Sequence, residues 1–133
     1  MLITKVVLEN YGVFRNKNEI DLSCTQDKPV ILFGGTNGAG KTTLFESIML
    51  CLYGMTFFEK RISRKEYEKL LAHKIHRYLG TPVSADSTSI SIEFKFFHQG
   101  KVDHYSVTRR WSDDDGNINE NLSVKKMKNH LIR

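Results

Sequence analysis

The sequence predicts an α/β fold in which a mixed sheet carries a glycine-rich loop and its helix, with an antiparallel meander alongside. Three observations predict it. A run of four apolar residues, Val30-Ile31-Leu32-Phe33, leads into a glycine-rich loop that opens a helical pattern. Residues 88–97 and 102–111 alternate apolar and polar side chains on either side of Gln99-Gly100-Lys101. A second helical pattern, with its own start and stop signals, lies between them.

The elements follow in chain order. Residues 2–9 alternate, with Leu2, Val6 and Leu8 on one face, which reads as a strand. Asn10-Tyr11-Gly12 is a turn signal, and a second short strand is expected over 19–22 after the turn Asn16-Lys17-Asn18. The unbroken run 30–33 reads as a strand buried on both faces. From Thr42, the residues Leu44, Phe45, Ile48, Met49, Cys51 and Leu52 cover most of a helix, which is therefore expected to be largely buried. Gly54 stands where a C-terminal glycine cap belongs, and residues 55–62 read as a loop. Ser63-Arg64-Lys65-Glu66 is a capping box. The spacing of Tyr67, Leu70, Leu71, Ile75, Tyr78 and Leu79 extends that helix to Gly80 and Pro82. Gln99-Gly100-Lys101 makes a hairpin, residues 113–117 make a second turn, and a last strand is expected over 121–128.

Composition bounds the function classes. The 133 residues fit one domain. With 40% hydrophobic residues, the chain has enough apolar surface for a core. No window approaches the ~18 apolar residues of a membrane span, and the N-terminus lacks a signal-peptide pattern. Cys24 and Cys51 give neither a disulfide framework nor a zinc spacing. The expectation is a cytoplasmic chain with no membrane partner. Twenty Lys and Arg against fifteen Asp and Glu leave a net +5. Residues 59–78 hold seven bases and three acids, and residues 122–133 hold four bases and no acid. Such segments suit DNA, nucleotide phosphates or an acidic partner.

One motif carries chemistry. Gly35-Thr36-Asn37-Gly38-Ala39-Gly40-Lys41-Thr42 satisfies G-x-x-x-x-G-K-[ST], the phosphate-binding loop. Successive backbone N–H groups supply the donors that phosphate oxygens need, and the helix start adds more at the positive end of its dipole. Lys41 is expected to reach the β- and γ-phosphates of ATP and to serve catalysis. The Thr42 hydroxyl is expected to bind Mg²⁺, a hard ion that prefers oxygen, and Thr43 to meet the α-phosphate. The expected nucleotide-binding set is therefore Gly35, Asn37, Gly38, Ala39, Gly40, Lys41, Thr42 and Thr43. No later segment shows four apolar residues followed by Asp-Glu, the pattern that would hold the metal's water shell. Glu93 lies on an alternating surface strand, and Asp113, Asp114 and Asp115 lie on a hairpin tip, so both are poor candidates for that role.

Around the loop, the chain resembles the SMC, RecF and SbcC branch of ABC-type ATPases. Asn37-Gly38-Ala39-Gly40-Lys41-Thr42-Thr43 has the N-G-x-G-K form of that group, Asn10-Tyr11 its Asn-aromatic pair, and Leu52-Tyr53-Gly54 its helix end. The chain is also similar to the DndD family, the SMC-like ATPases of the DNA phosphorothioation (Dnd) system. That likeness lies in Ile31-Leu32-Phe33-Gly34-Gly35, in Tyr67-Glu68-Lys69-Leu70-Leu71 with Ile75-His76-Arg77, in Ser91-Ile92-Glu93-Phe94, and in residues 105–111.

The resemblance implies a P-loop NTPase fold of the ABC/SMC head type, with residues 1–133 as an N-terminal lobe. It implies ATP and Mg²⁺ as cofactors. It also implies four kinds of partner: a C-terminal lobe of the same head, a second head in an ATP-dependent dimer, DNA, and other Dnd-system proteins. The C-terminal lobe of such heads carries the metal-binding acid, the catalytic glutamate and the signature. The basic residue that often follows the Asn-aromatic pair in the SbcC branch is replaced here by Gly12, with Arg15 the nearest base. Gln99, in a hairpin turn, does not stand in for the glutamine loop of related ATPases.

A few residues remain. Arg109 shares a face with Tyr105, Val107 and Trp111 and is expected to stack on an aromatic or pair with an acid inside the lobe. Arg110 faces the other way, where DNA contact is open to it. His73 and His76 are read as surface residues, Tyr11 as a packed aromatic and Cys51 as a core residue.

Overall fold

The computed structural model describes residues 1–36, 40–58, 61–78, 80–81 and 83–128. Five strands form one sheet: β1 (Leu2–Tyr11), β2 (Phe14–Asp21), β3 (Ser87–His98), β4 (Lys101–Asp114) and β5 (Asn117–Met127). Their order is β2-β1-β3-β4-β5, and every pairing is antiparallel. Two helices, α1 (Lys41–Tyr53) and α2 (Arg64–Lys74), lie on one face of the sheet, and a 3₁₀ turn (Gly54–Phe57) follows α1. This is the α/β architecture expected, with the helix after the glycine-rich loop set beside a meander.

The core sits between that sheet face and the helices. Val6, Leu8, Ile90, Ile92, Val107 and Trp111 project from the sheet onto Leu44, Leu50 and Cys51 of α1 and Tyr67 and Leu71 of α2. Each large side chain buried this way contributes about 1.5–3 kcal/mol relative to leaving it exposed. The Trp111 indole donates to the Leu71 carbonyl at 2.8 Å, and Tyr11 meets the Trp111 ring edge-on. The Cys51 thiol lies against the Ile90 carbonyl at 3.5 Å. Burial raises its pKa to about 11, with the Arg109 charge opposing the shift.

Both hairpins of the meander close in two residues, Gln99-Gly100 and Asp115-Gly116, all four left-handed. That is the turn whose twist matches the strands it joins. It lets β4 begin at Lys101 and β5 at Asn117, longer than the alternation alone delimits.

Four local expectations are corrected. Residues 30–33 form no strand, and Leu32 is 90% and Val30 72% exposed. A strand buried on both faces needs a neighbouring strand and a layer on each side. The described sheet provides neither, so it is antiparallel throughout rather than mixed. Strand β2 starts at Phe14, because the chain already turns at Gly12-Val13 and pairs Tyr11 with Phe14. Asn16 is therefore inside the strand, at positive φ, rather than in a turn before it. Helix α2 ends at Lys74, because Ile75 is extended and bridges Tyr11 while the His76 N–H donates to the Asn10 carbonyl. Finally, α1 is buried along one stripe only, with Phe45 63% exposed on its other side.

Candidate functional site: the start of helix α1

The site is built by the turn that precedes α1 and by the β1–β2 turn that supports it. Gly40 is the N-cap of α1, at φ 99° in the left-handed region. A Cβ there would lie 2.9 Å from the Phe14 ring and 3.2 Å from Val13. Glycine is thus required twice over, by the backbone angle and by the close approach of β2. On the adjoining turn, a Cβ at Gly12 would lie 3.0 Å from the Thr43 methyl. The β1–β2 turn is a supporting wall of the site, which the linear motif did not reveal. The signal in the sequence was Gly12 itself, two residues before the aromatic Phe14.

The first turn of α1 is open to an anion. No side chain caps it and no acidic residue lies in it. The first intrahelical bond runs from the Leu44 N–H to the Gly40 carbonyl at 2.9 Å, which leaves the earlier N–H groups without intrahelical partners. These donors and the helix dipole favour negative charge. Lys41 and Thr42 are exposed, and Thr43 is half-buried against Gly12. Lys41 donates from Nζ to the Gly35 carbonyl at 2.6 Å. The structure therefore gathers Gly35, Gly40, Lys41, Thr42 and Thr43. Asn37, Gly38 and Ala39 lie outside the described residues. The donor set fits a polyphosphate, and the exposed Thr42 hydroxyl is a hard oxygen of the kind Mg²⁺ prefers.

A cavity of about 370 Å³ opens beside the β1–β2 turn, lined by Gly12, Val13, His73, Ile75, His76 and Arg77. The His76 ring holds the Gly12 carbonyl through Nδ1 at 2.8 Å. Arg15 lies over the Tyr78 ring at 5.2 Å, a cation–π contact.

The remaining candidates are placed as follows. Arg109 is buried and bonded within the lobe. It donates to the Cys51 carbonyl at 3.2 Å and to Glu120 at 3.1 Å, and the Tyr67 hydroxyl donates to the same Glu120 oxygen. Arg110 is exposed on the opposite sheet face and pairs with Glu9 at 3.7 Å. Glu93 sits within β3 beside Ser106 of β4. Asp113 accepts from the Gly116 N–H inside the β4–β5 hairpin. Among the described residues no three His, Cys, Asp or Glu side chains converge on one point. No helix among them is long and apolar enough to cross a membrane.

Comparison with known proteins shows the family of the chain. The AAA domain family matches residues 5–132, so the chain belongs to that family. Its architecture is that of an AAA-type, P-loop NTPase head lobe. Over 57 residues the chain is 37% identical to the SbcC component of the nuclease SbcCD of Vibrio cholerae, a stretch covering 43% of the chain and 6% of that protein. It is 40% identical over 72 residues to the DNA double-strand break repair Rad50 ATPase of Nanoarchaeum equitans, covering 54% of the chain and 9% of that protein. It is 35% identical over 69 residues to the Septu protein PtuA of Bacillus mycoides, covering 51% of the chain and 10% of that protein. The chain thus matches only a small part of the length of these relatives.

Proposed function

We propose that this member of the AAA domain family is the ATP-binding lobe of an SMC-like ATPase that acts on DNA in the cytoplasm. The observation that carries the reading is the start of α1, an uncapped helix N-terminus with Lys41 and Thr42 exposed directly after a left-handed Gly40. On this reading Gly35, Asn37, Gly38, Ala39, Gly40, Lys41, Thr42 and Thr43 hold the phosphates, and Thr42 holds Mg²⁺. Bound Mg²⁺ neutralises phosphate charge as it develops. Lys41 adds a fixed positive charge at the same oxygens. The names of two relatives, a nuclease component and a DNA-repair ATPase, support the DNA-acting class.

Hydrolysis also needs an acid for the metal's water shell and a group to orient water. The described residues bring no acidic cluster to Thr42. We therefore assign those groups to a C-terminal lobe and to a second head in an ATP-dependent dimer. The purified chain is expected to bind ATP weakly and not to turn it over. Lys41→Ala should abolish binding of a fluorescent ATP analogue while leaving the unfolding midpoint unchanged, since Lys41 is exposed. A Lys41→Ala chain that bound as tightly as the parent would sink the assignment. Mg²⁺-dependent hydrolysis by the chain alone would show a catalytic acid within it.

The finer reading is a DndD-type ATPase working with other Dnd-system proteins, supported by the residue likeness at 31–35, 67–71, 75–77, 91–94 and 105–111. The relatives above carry other names, so an SbcC-like repair ATPase is the second reading. The neighbouring genes discriminate the two. DNA binding that depends on salt but ignores ATP would instead favour a non-catalytic module with a vestigial loop.

A further inference from the structure

We propose that the outer face of α2 is where this lobe meets DNA, through its phosphate backbone and without reading sequence. The inference rests on the DNA-acting class proposed above and adds the surface. Positions 61, 65, 69, 73 and 77 hold Arg61, Lys65, Lys69, His73 and Arg77, all exposed. Within α2, residues four apart lie one above another on a single face. Lys65, Lys69 and His73 therefore form a stripe about 12 Å long at 1.5 Å per residue. Arg61 precedes the N-cap Ser63 and Arg77 follows the helix end, so they flank the stripe in sequence.

Among the described residues the Lys and Arg side chains of this set are not used internally. Arg61, Lys65, Lys69 and Arg77 take part in no ion pair among the described residues. By contrast, Arg64 on the same helix is held by Glu68 and Glu120, and Lys74 by Glu46. Three acids lie near the stripe. Glu68 is engaged by Arg64, while Glu66 and Asp113 are exposed and pair with no cation among the described residues, Asp113 accepting only the Gly116 N–H.

The stripe borders two openings. Lys65 and Lys69 line a groove of about 420 Å³ with Glu68, Asp113, Gly116 and Asn117 at the β4–β5 turn. His73 and Arg77 line the cavity beside Gly12 and Val13, next to the phosphate loop. A polyanion lying along α2 would run from Lys65 and Lys69 toward the nucleotide site. Another basic surface among the described residues is the sheet face turned away from the helices, and much of its charge is paired. There Lys5 and Lys17 pair with Glu19 and Arg110 pairs with Glu9, leaving Lys95 and Lys125.

Phosphate contacts leave a thermodynamic signature. The logarithm of affinity falls with the logarithm of salt by about 0.9 per phosphate neutralised. The test measures binding of two unrelated duplexes by the purified chain across a salt series, with ATP-analogue binding as a separate readout. Lys65→Ala/Lys69→Ala should reduce the salt slope by about 2 on both duplexes alike and leave analogue binding intact. Lys65→Arg/Lys69→Arg should keep the parent slope. A parent slope in the alanine pair overturns the proposal, and the stripe then faces an acidic protein instead. A slope lowered only by Lys95→Ala/Lys125→Ala overturns it in favour of the sheet face. A parent chain that binds neither duplex also overturns it. In each case analogue binding that still depends on Lys41 leaves the nucleotide assignment standing.

Discussion

Tyr11 and Tyr67 hold their phenols in the core, and both pKa values rise above the ordinary 10.0. Loss of solvation is the main cause in each. The Glu46 charge adds to it for Tyr11, and the hydrogen bond to Glu120 adds to it for Tyr67. The folded state thus keeps two protons that the unfolded chain releases near pH 10. The stabilisation from these groups is full below that pH and is lost as pH rises further. Ultraviolet titration of the five tyrosines should therefore show two that ionise only when the chain unfolds in base. Ionisation of all five in a chain that keeps its near-ultraviolet dichroism would contradict the burial of these phenols.

The end of α1 is fixed by two groups. Gly54 caps the helix at φ 57° and ψ −133°, with its N–H bonded to the Leu50 carbonyl. A Cβ there would meet the Arg109 guanidinium at 3.0 Å. Gly54→Ala should destabilise by about 2 kcal/mol through strain at this angle, measured by chemical denaturation. An effect below the error of that measurement would mean the cap relaxes freely. Arg109 bonds the same helix end and pairs with Glu120, both largely buried. Arg109→Met leaves that carboxylate without its closest cation and should cost about 3 kcal/mol. Adding Glu120→Gln should recover part of the loss, and a double variant as unstable as the simple sum would show that the two side chains act independently. In α2, by contrast, Ser63 accepts the Glu66 N–H at 3.1 Å, the N-cap half of the capping box in the sequence.

At the scale of the molecule, the clearest consequence lies in residues 30–33. If this run were a strand buried within the lobe, Leu32→Ser would cost several kcal/mol. With Leu32 90% exposed, the substitution should shift stability by less than about 0.5 kcal/mol. A large loss of thermal stability in the purified chain would mean that the run is buried after all. Val30, Leu32, Phe33 and Phe45 each leave apolar surface uncovered. That fits the proposal that a second lobe completes the head.

Features governed by chemistry within a few residues were legible in the sequence. Gly40-Lys41-Thr42 announced the start of α1, Gly54 its end, Ser63 and Glu66 the start of α2, and Gln99-Gly100-Lys101 and residues 113–117 the hairpin turns. The face shared by Arg109 and Trp111 was legible too, because strand alternation has a period of two. Other outcomes depended on partners distant in sequence. Ile75 leaves the helical pattern because Tyr11 and Asn10 offer it and His76 a strand-like partner 64 to 66 residues away. Gly12 supports the phosphate loop because the β1–β2 turn packs on Thr43. Residues 30–33 carry a strand pattern but find no strand to pair with among the described residues. By itself the sequence determined the chemistry of the loop and the local starts and stops, because caps, turns and alternation act over a few bonds. Only the tertiary structure decided which runs pair, where α2 ends and which apolar residues stay exposed, because backbone hydrogen bonds and burial need a neighbour that the run itself does not contain.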